Sequence, residues 1–499
     1  MSRNRVIRPR SAAGAAVAAA AALVLLFAAG CASNPATGKQ QLNFYSEAEE
    51  IAIGREADAQ ITTAMGLVDD PALQAYVDNL GRSLAAKSER PGLPWSFKVI
   101  DDPVVNAFAL PGGYIYVTRG ILAHMGSEAE LASVLGHEIG HVTAQHGVNQ
   151  MSKQQLAMGG LLVSAILVPE VADAAGLAQA GLGLLFLKYG RDDERQADDL
   201  GLRYMTQGGF DAGEMPKMFT VLEGVSQIAS AGRIPNWLAS HPEPAARRER
   251  TAQLIAERRY APGQVNAEGL LAQVDGLTFG HDPRQGFFVD STFYHPGLAF
   301  QLEVPTGWRA LNERERVVAV HPEGVAQLEL RVTDQASADE AARAFLAQQG
   351  VTSISSRRTK VNGLSAVRAD FSVANQQRAL SGRATFVAHG GRVFRWMGLV
   401  YSDRAVAAAQ AFEKSLASFK ALKDKSKLGA EAQVVRVVEL PQAMTFEEFL
   451  RRYPSDVDAR QMALMNRIDD PTRQLPAGTK LKRIEGRKAG EQTAGPAPQ

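Results

Sequence analysis

The sequence predicts a multidomain α+β protein: a mainly helical N-terminal domain holding a small sheet, then an α+β domain, then a small βααβ module. Three observations predict it. Residues 127–147, SEAELASVLGHEIGHVTAQHG, read as a capped helix within a region of helical periodicity. From Leu298 the apolar pattern changes to period 2, at Leu298, Phe300, Leu302 and Val304 and again at Leu328, Leu330 and Val332. After the charged stretch Lys423–Lys427, a strand, two helices and a closing strand follow within 430–484.

The 499 residues leave room for roughly two to four domains, and 45% hydrophobic with 21% charged residues is ordinary globular material. Setting aside Arg3, Arg5, Arg8 and Arg10 reduces the 54 basic residues to 50, against 53 acidic ones, which disfavours nucleic acid as a partner. One cysteine, Cys31, excludes an intrachain disulfide. Residues 1–30 have a basic start, an apolar run from Ala12 to Ala29 and a small-residue end, the layout of a signal peptide. Ala28-Ala29-Gly30-Cys31 resembles a bacterial lipobox, with Ala28 where Leu is usual. The resemblance implies cleavage before Cys31 and its lipidation, and Ser33 in place of a retaining Asp favours the outer membrane. Each buried acyl CH₂ contributes about 0.8 kcal/mol, so several chains anchor stably. The competing reading is an uncleaved Ala-rich membrane helix with a bystander cysteine.

Residues 31–45 read as a polar, lipidated tether, and the helical domain covers 46–260. Ser46 with Glu49 is a capping box opening a helix. Pro71–Lys87 is a second helix, apolar at Leu73, Tyr76, Val77, Leu80 and Leu84. Trp95–Ile100 and Tyr114–Thr118 alternate as strands, with Pro111-Gly112-Gly113 as a turn. A strand just before the 127–147 helix is either core or the edge of a cleft, where it can pair with an extended chain.

In that helix Ser127 and Glu130 form the capping-box start and Gly147 is the stop. His137 and His141 lie one turn apart on one face. Two imidazoles at that spacing can share one Zn²⁺, with Glu138 beside them to take a proton from water. The bland alternative is a helix whose histidines are exposed or hydrogen-bonded. Leu156–Val168 and Leu177–Leu187 are apolar but shorter than the ~20 residues that span a bilayer, so they read as buried or lid helices, or as a membrane-dipping hairpin. Asp192 or Asp193 caps a further helix, stopped by Gly208-Gly209. Glu194, Asp198 and Gly201 share one face of it with Ala197 beside them, a small acidic face suited to approach the metal helix closely. Glu194 would complete a His₂Glu set, and Asp198 is placed to fix the tautomer of a ligand imidazole. A solvated acidic helix start is the alternative for both. His124 and His146 read as structural or surface residues.

HEIGH followed by Glu194-Arg195-Gln196-Ala197-Asp198 and Gly201 resembles the HExxH plus ExxAD pattern of HtpX and CAAX-prenyl-protease type zinc metallopeptidases, nearest to soluble periplasmic BepA-like members. Asn106–Thr118 (NAFALPGGYIYVT) and Ser240-His241-Pro242 with Arg247 match that group as well. The resemblance implies a gluzincin-like endopeptidase fold, one Zn²⁺ per chain, Glu138 as catalytic acid/base and Asp198 as a proton donor, although its position argues for an orienting role. For His241 it implies a place near the metal, either closing the open position and holding the enzyme latent, or donating to the oxyanion.

Residues 261–295 lack a sustained period and read as a connector. In the α+β domain, 296–422, Ser337 with Glu340 caps a helix ending near Gly350, Gly390-Gly391 signals a hairpin, and a helix follows over about 402–422. No catalytic constellation is visible there. The 430–484 module is similar to LysM, which implies peptidoglycan contact, with Ala443-Met444 where Gly-Asp is usual. Residues 485–499 read as a disordered tail. These readings predict a lipid-anchored periplasmic zinc endopeptidase whose substrates are unfolded or misassembled envelope proteins. The rival is a latent peptidase serving as a cell-wall-associated scaffold or assembly factor.

Overall fold

The computed structural model describes residues 31–167, 188–228, 241–373 and 379–486. The stretch read as a signal peptide, Leu177–Leu187 and nearly all of the stretch read as a tail lie outside them. Among the described residues no helix is long and apolar enough to cross a membrane. The chain forms two compact units, one of residues up to Thr63 with Leu67–Gln273 and Leu464–Arg467, the other of Ala64–Gly66, Val274–Ala463 and the chain from Ile468.

The first unit opens with a hairpin, β1 (Cys31–Ser33) against β2 (Gln40–Leu42), where a tether was expected. Asn34 ties it down, its amide donating to the carbonyl of Ala144 at 3.1 Å. Helix α1 (Glu47–Met65) starts in the expected box, with Ser46 N donating to the Glu49 carboxylate at 2.8 Å. Helix α2 (Pro71–Ala85) is capped by Asp70 and ends two residues before the pattern does. A three-stranded sheet follows: β3 (Ser96–Ile100), β4 (Ala107–Leu110) and β5 (Tyr114–Thr118), in the order β3-β5-β4. The strand nearest in sequence to the metal helix, β5, is therefore central and wholly buried, and β4 forms the edge. Parallel pairing with β3 occupies one side of β5, and the turn at Pro111–Gly113 folds β4 onto the other.

Next come α3 (Arg119–His124), α4 (Glu128–Thr143), α5 (His146–Leu167), α6 (Arg191–Gln207), α7 (Met215–Ile228), α8 (Pro244–Arg258) and α9 (Ala267–Val274). Helix α4 is buried on every side from Ala129 to Thr143, not amphipathic, because helices and the sheet surround it. Ser127 Oγ accepts from Glu130 N, as a cap should, but the Glu130 carboxylate turns back to Gly126 N at 2.7 Å. The helix stops at Thr143, earlier than Gly147, because Gln145 takes the left-handed conformation at φ 59° and α5 begins at once. Helix α6 starts earlier than expected, capped by Gly190, whose N–H donates to Asp193.

The second unit is mostly antiparallel sheet. Short strands β6 (Thr278–Phe279), β7 (Phe287–Val289) and β8 (Thr292–His295) form within the stretch read as patternless. Strand β9 (Phe300–Glu303) precedes a seven-stranded sheet of β10 (Arg309–Asn312), β11 (Arg316–Val320), β12 (Ala326–Thr333), β13 (Val351–Val361), β14 (Leu364–Val373), β15 (Leu380–His389) and β16 (Arg392–Tyr401), in the order β10-β11-β12-β16-β15-β14-β13. Gly390 and Gly391, at φ 58° and 74°, make the tight turn of the β15–β16 hairpin. Helix α10 (Ala338–Leu346) and helix α11 (Ala405–Leu416) cover the sheet. Alternate residues Phe394 and Trp396 pack with Phe412 and Leu416, while Val393 and Met397 pack with Ala341 and Phe345. Strand β17 (Lys420–Ala421) joins β9, and α12 (Lys425–Leu428) follows. The last module runs β18 (Gln433–Glu439), β19 (Met444–Thr445), α13 (Phe446–Arg452), α14 (Ala459–Asn466), β20 (Gln474–Leu475) and β21 (Lys480–Glu485), with β18 antiparallel to β21. The expected βααβ order is present, and β6 adds a strand to the free side of β18.

Candidate active site

Helices α4 and α6 meet along a seam of small residues. A Cβ built on Gly201 would lie 2.8 Å from His137 N, and one on Gly140 would lie 3.0 Å from the Ala197 carbonyl oxygen. Backbones this close carry Glu194, two turns before Gly201, to the histidines of α4. His137 Nε2 and His141 Nε2 stand 3.0 Å apart. The Glu194 carboxylate lies 3.6 Å from the first and 3.5 Å from the second. His241 Nδ1 lies 3.4 Å from His137 Nε2 and 2.9 Å from Glu194 Oε1. All four side chains are buried, and one ligand atom of each falls within 4.8 Å of all the others.

Donors around a tetrahedral Zn²⁺ at 2.0–2.1 Å stand roughly 3.3 Å apart, so these separations are those of a zinc cage. The donor chemistry agrees, since imidazole and carboxylate are what zinc takes from proteins. Glu138 Oε1 points inward, buried and without a hydrogen-bond partner, 3.8 Å from His241 Nε2. A buried carboxylate oxygen left unpaired in this way calls for a partner such as a water. The residues present therefore fit a zinc ion.

Around this set, a second layer holds the imidazoles. His137 Nδ1 is 3.0 Å from Asp198 Oδ1, which orients the ring with Nε2 inward. Arg247 grips Asp198 with Nε at 2.8 Å and reaches the Glu194 carboxylate at 2.7 Å. Its guanidinium lies over the Phe219 ring. Behind His141 the chain is imidazole to imidazole: His141 Nδ1 is 2.9 Å from His146 Nδ1, and His146 Nε2 is 3.1 Å from Gln196 Oε1. With the Gln196 carbonyl accepting, His146 carries its proton on Nε2, its Nδ1 accepts from His141, and His141 Nε2 is left as a lone pair. The opposite amide orientation would put a proton on His141 Nε2 and forbid ligation. Asp193, 3.8 Å from His146 Nε2, favours the first arrangement.

Electrostatics separate the groups by role. Burial pushes the Glu138 carboxyl up, against the pull of His241 and His137. Burial would raise Glu194 as well, but His241 and Arg247 outweigh it and hold the carboxylate down. For Asp198 the Arg247 guanidinium overcomes burial and lowers the group to about 2. Burial keeps His141 and His146 below the ordinary histidine range, hence neutral. His241 is held up, since Glu194 and Glu138 outweigh its desolvation.

Beside the cage a cleft is lined by Ala109, Leu110 and Pro111 from the sheet edge and by His141, Val148 and Tyr189. Tyr189 stacks on His141 at 4.1 Å between ring centroids. Of the histidines set aside from the sequence, His124 is buried on α3 with Nδ1 against the Gly120 carbonyl. His146 is different: it belongs to the shell of the site. Its position five residues after His141, just past the helix end, was the available signal. Arg247 was noted in the sequence with no role, and a lone arginine on an exposed-looking helix carries none. Cys31 opens β1, and the lipobox-like residues expected to direct its lipidation lie outside the described ones.

Residues 71–254 match the profile of peptidase family M48. The chain is similar to a Vibrio cholerae protein provisionally named beta-barrel assembly-enhancing protease, at 36% identity over 217 residues, 41% of this chain and 44% of that one. It is similar to the beta-barrel assembly-enhancing protease of Escherichia coli strain K12 at 30% over 230 residues, 44% and 47%. It is similar to the mitochondrial metalloendopeptidase OMA1 of Arabidopsis thaliana at 30% over 215 residues, 41% and 42%. The chain thus spans less than half the length of each of these three relatives. The matched segment, 71–254, contains the whole His-His-Glu-His cage.

Proposed function

We propose that the protein is a zinc endopeptidase of the bacterial envelope, cleaving extended polypeptides. The observation that carries this is the buried cage of His137, His141 and Glu194 with the unpartnered Glu138 oxygen beside it. His137, His141 and Glu194 would hold one Zn²⁺, which when bound would supply a Lewis acid for the scissile carbonyl and lower the pKa of water towards ~7. Glu138, its carboxyl pushed up by burial, takes the proton of the attacking water and delivers it to the leaving amine. Asp198 and Arg247 orient His137, and His146 orients His141. The free edge of β4 pairs with an extended substrate by strand addition, which reads backbone and so accepts unfolded or misassembled proteins. Signal peptide, lipidated Cys31 and outer-membrane attachment are the matching proposals for location, resting on the lipobox likeness. For the last module the proposal is peptidoglycan contact, resting on its βααβ order.

A specific contact favours a second reading. His241 Nδ1 lies 2.9 Å from Glu194 Oε1 and stands where a fourth ligand would. A cage closed by four protein donors leaves no place for water, so a latent form, or a scaffold in the cell wall, is the alternative. Glu138→Gln separates the enzyme from the scaffold. The variant should keep one zinc per chain and lose cleavage of casein and of unfolded outer-membrane protein by about 10²-fold or more. Unchanged cleavage, or none from the wild type, defeats the peptidase reading. Equal cleavage of folded and unfolded forms defeats the quality-control role.

A further inference from the structure

Between the sheet edge and the metal helix lies a buried charge that the chemistry above does not use. Glu50 on α1 is 1% exposed. Its Oε1 accepts from Gly112 N at 3.1 Å and from Arg90 Nη1 at 3.0 Å. Its Oε2 accepts from Arg90 Nη2 at 2.8 Å and from Gln145 Nε2 at 3.2 Å. Arg90 Nη1 also donates to the Val142 carbonyl, in the last turn of α4. Gly112, at φ 78°, is in the turn that ends β4, and a Cβ there would stand 2.7 Å from Ile51 Cα. Gln145 follows α4 directly. One carboxylate thus joins the turn of the edge strand to the end of the helix bearing His137 and His141.

The same Gln145 reaches outward. Its Oε1 accepts from Gln41 at 3.1 Å, and Gln41 accepts from Asn34, whose amide also donates to Ala144 O. Asn149 Nδ2 donates to the Leu42 carbonyl at 2.7 Å. The β1–β2 hairpin is therefore one end of a continuous hydrogen-bonded line: Asn34, Gln41, Gln145, Glu50, Gly112.

We propose that Glu50 is a positioning residue that, with Arg90 and Gln145, holds the edge strand β4 at its working distance from the metal helix, and that the N-terminal hairpin is part of this lock. The proposal rests on the peptidase reading, in which β4 binds the substrate backbone. Two parts of one reaction site, the substrate rail and the metal ligands, sit on different elements, and an error near 1 Å between them costs up to about 10²-fold in rate. A buried carboxylate with four donors is a stiff joint, because each lost bond leaves a desolvated partner. Glu50 lines the foot of the cleft but is not one of the four residues that could hold the metal, so its loss should weaken the grip on long substrates and leave the metal in place.

The test uses the zinc-loaded full chain in two variants, Glu50→Gln and the milder pair Asn34→Ala with Gln41→Ala. Three quantities are read: zinc per chain, KM and kcat on an unfolded polypeptide and on a short peptide, and hydrogen exchange of residues 107–113. Expected for Glu50→Gln are one zinc per chain, about a tenfold rise in KM for the unfolded polypeptide, less than a twofold change in kcat for the short peptide, and faster exchange at 107–113. The hairpin pair should move the same quantities in the same direction by about threefold. Unchanged exchange at 107–113 in both variants overturns the lock, and so does zinc loss in step with activity, which would make Glu50 a fold element only. If the wild type cleaves nothing, the peptidase reading falls, and exchange at 107–113 alone decides whether the lock exists.

Discussion

Gly201→Ala tests the seam on which the site depends. The added Cβ would stand 2.8 Å from His137 N and 3.0 Å from the Gly136 carbonyl carbon. Non-bonded carbon contacts settle near 3.5–4.0 Å, so the helices must part by about 0.7–1 Å. No flexible side chain can absorb this, because the facing atoms are backbone; the reciprocal Cβ at Gly136 would meet the Gly201 carbonyl oxygen at 2.9 Å. Overpacking of this kind costs about 1–3 kcal/mol, a fall of roughly 2–12 °C in Tm for a domain of this size. Zinc ligation tolerates about 0.2 Å, so a Glu194 carried away with α6 leaves the coordination sphere, and affinity should drop at least tenfold, about 1.4 kcal/mol. The assay is chelator competition for zinc beside thermal unfolding with and without metal. Gly92→Ala, where a Cβ meets nothing within 4 Å, is the control. Wild-type zinc affinity and Tm in Gly201→Ala would refute the claim that close backbone approach places the third ligand.

Three further outcomes are expected. His146→Ala removes the acceptor behind His141 and should weaken zinc by about 10–100-fold with the fold intact; unchanged affinity in metal titration counts against its role. Arg247 lowers Asp198 to about 2 in the folded chain against about 3.9 unfolded, so its carboxylate contributes about 2–3 kcal/mol above pH ~4 that is lost as pH falls towards 2. Asp198→Asn should accordingly be the less stable protein near neutrality, with the gap closing in acid, as urea unfolding of the metal-free forms would measure. His241→Ala should keep zinc and change peptide cleavage, upward if His241 closes the cage and downward if it serves the oxyanion; metal loss or unchanged activity contradicts both roles.

Much of the first unit was legible because its signals are local. The Ser46 and Ser127 caps depend on neighbours three residues away. The Glu194–Asp198–Gly201 face was readable for the same reason, as helical spacing puts those residues together without help from the rest of the chain. Non-local packing decided what the sequence left open or misread. Tyr114–Thr118 became the central strand because β3 pairs with it from earlier in the chain, which left β4 as the edge. The hairpin at Cys31–Leu42 has a polar sequence with no pattern of its own, and its order comes from partners such as Ala144, Gln145 and Asn149.

By itself the sequence determined which side chains could share a helical face: His137 with His141, Glu194 with Asp198. Tertiary structure alone decided that the two faces meet 3.5–3.6 Å apart, that His241 and Arg247 arrive from a third helix region, and that His146 stands behind His141. The physical reason is range. Helical periodicity acts over a few residues and is written in the chain, whereas contacts across tens of residues depend on how closely glycine and alanine let two backbones approach, and periodicity alone does not record which seams will close.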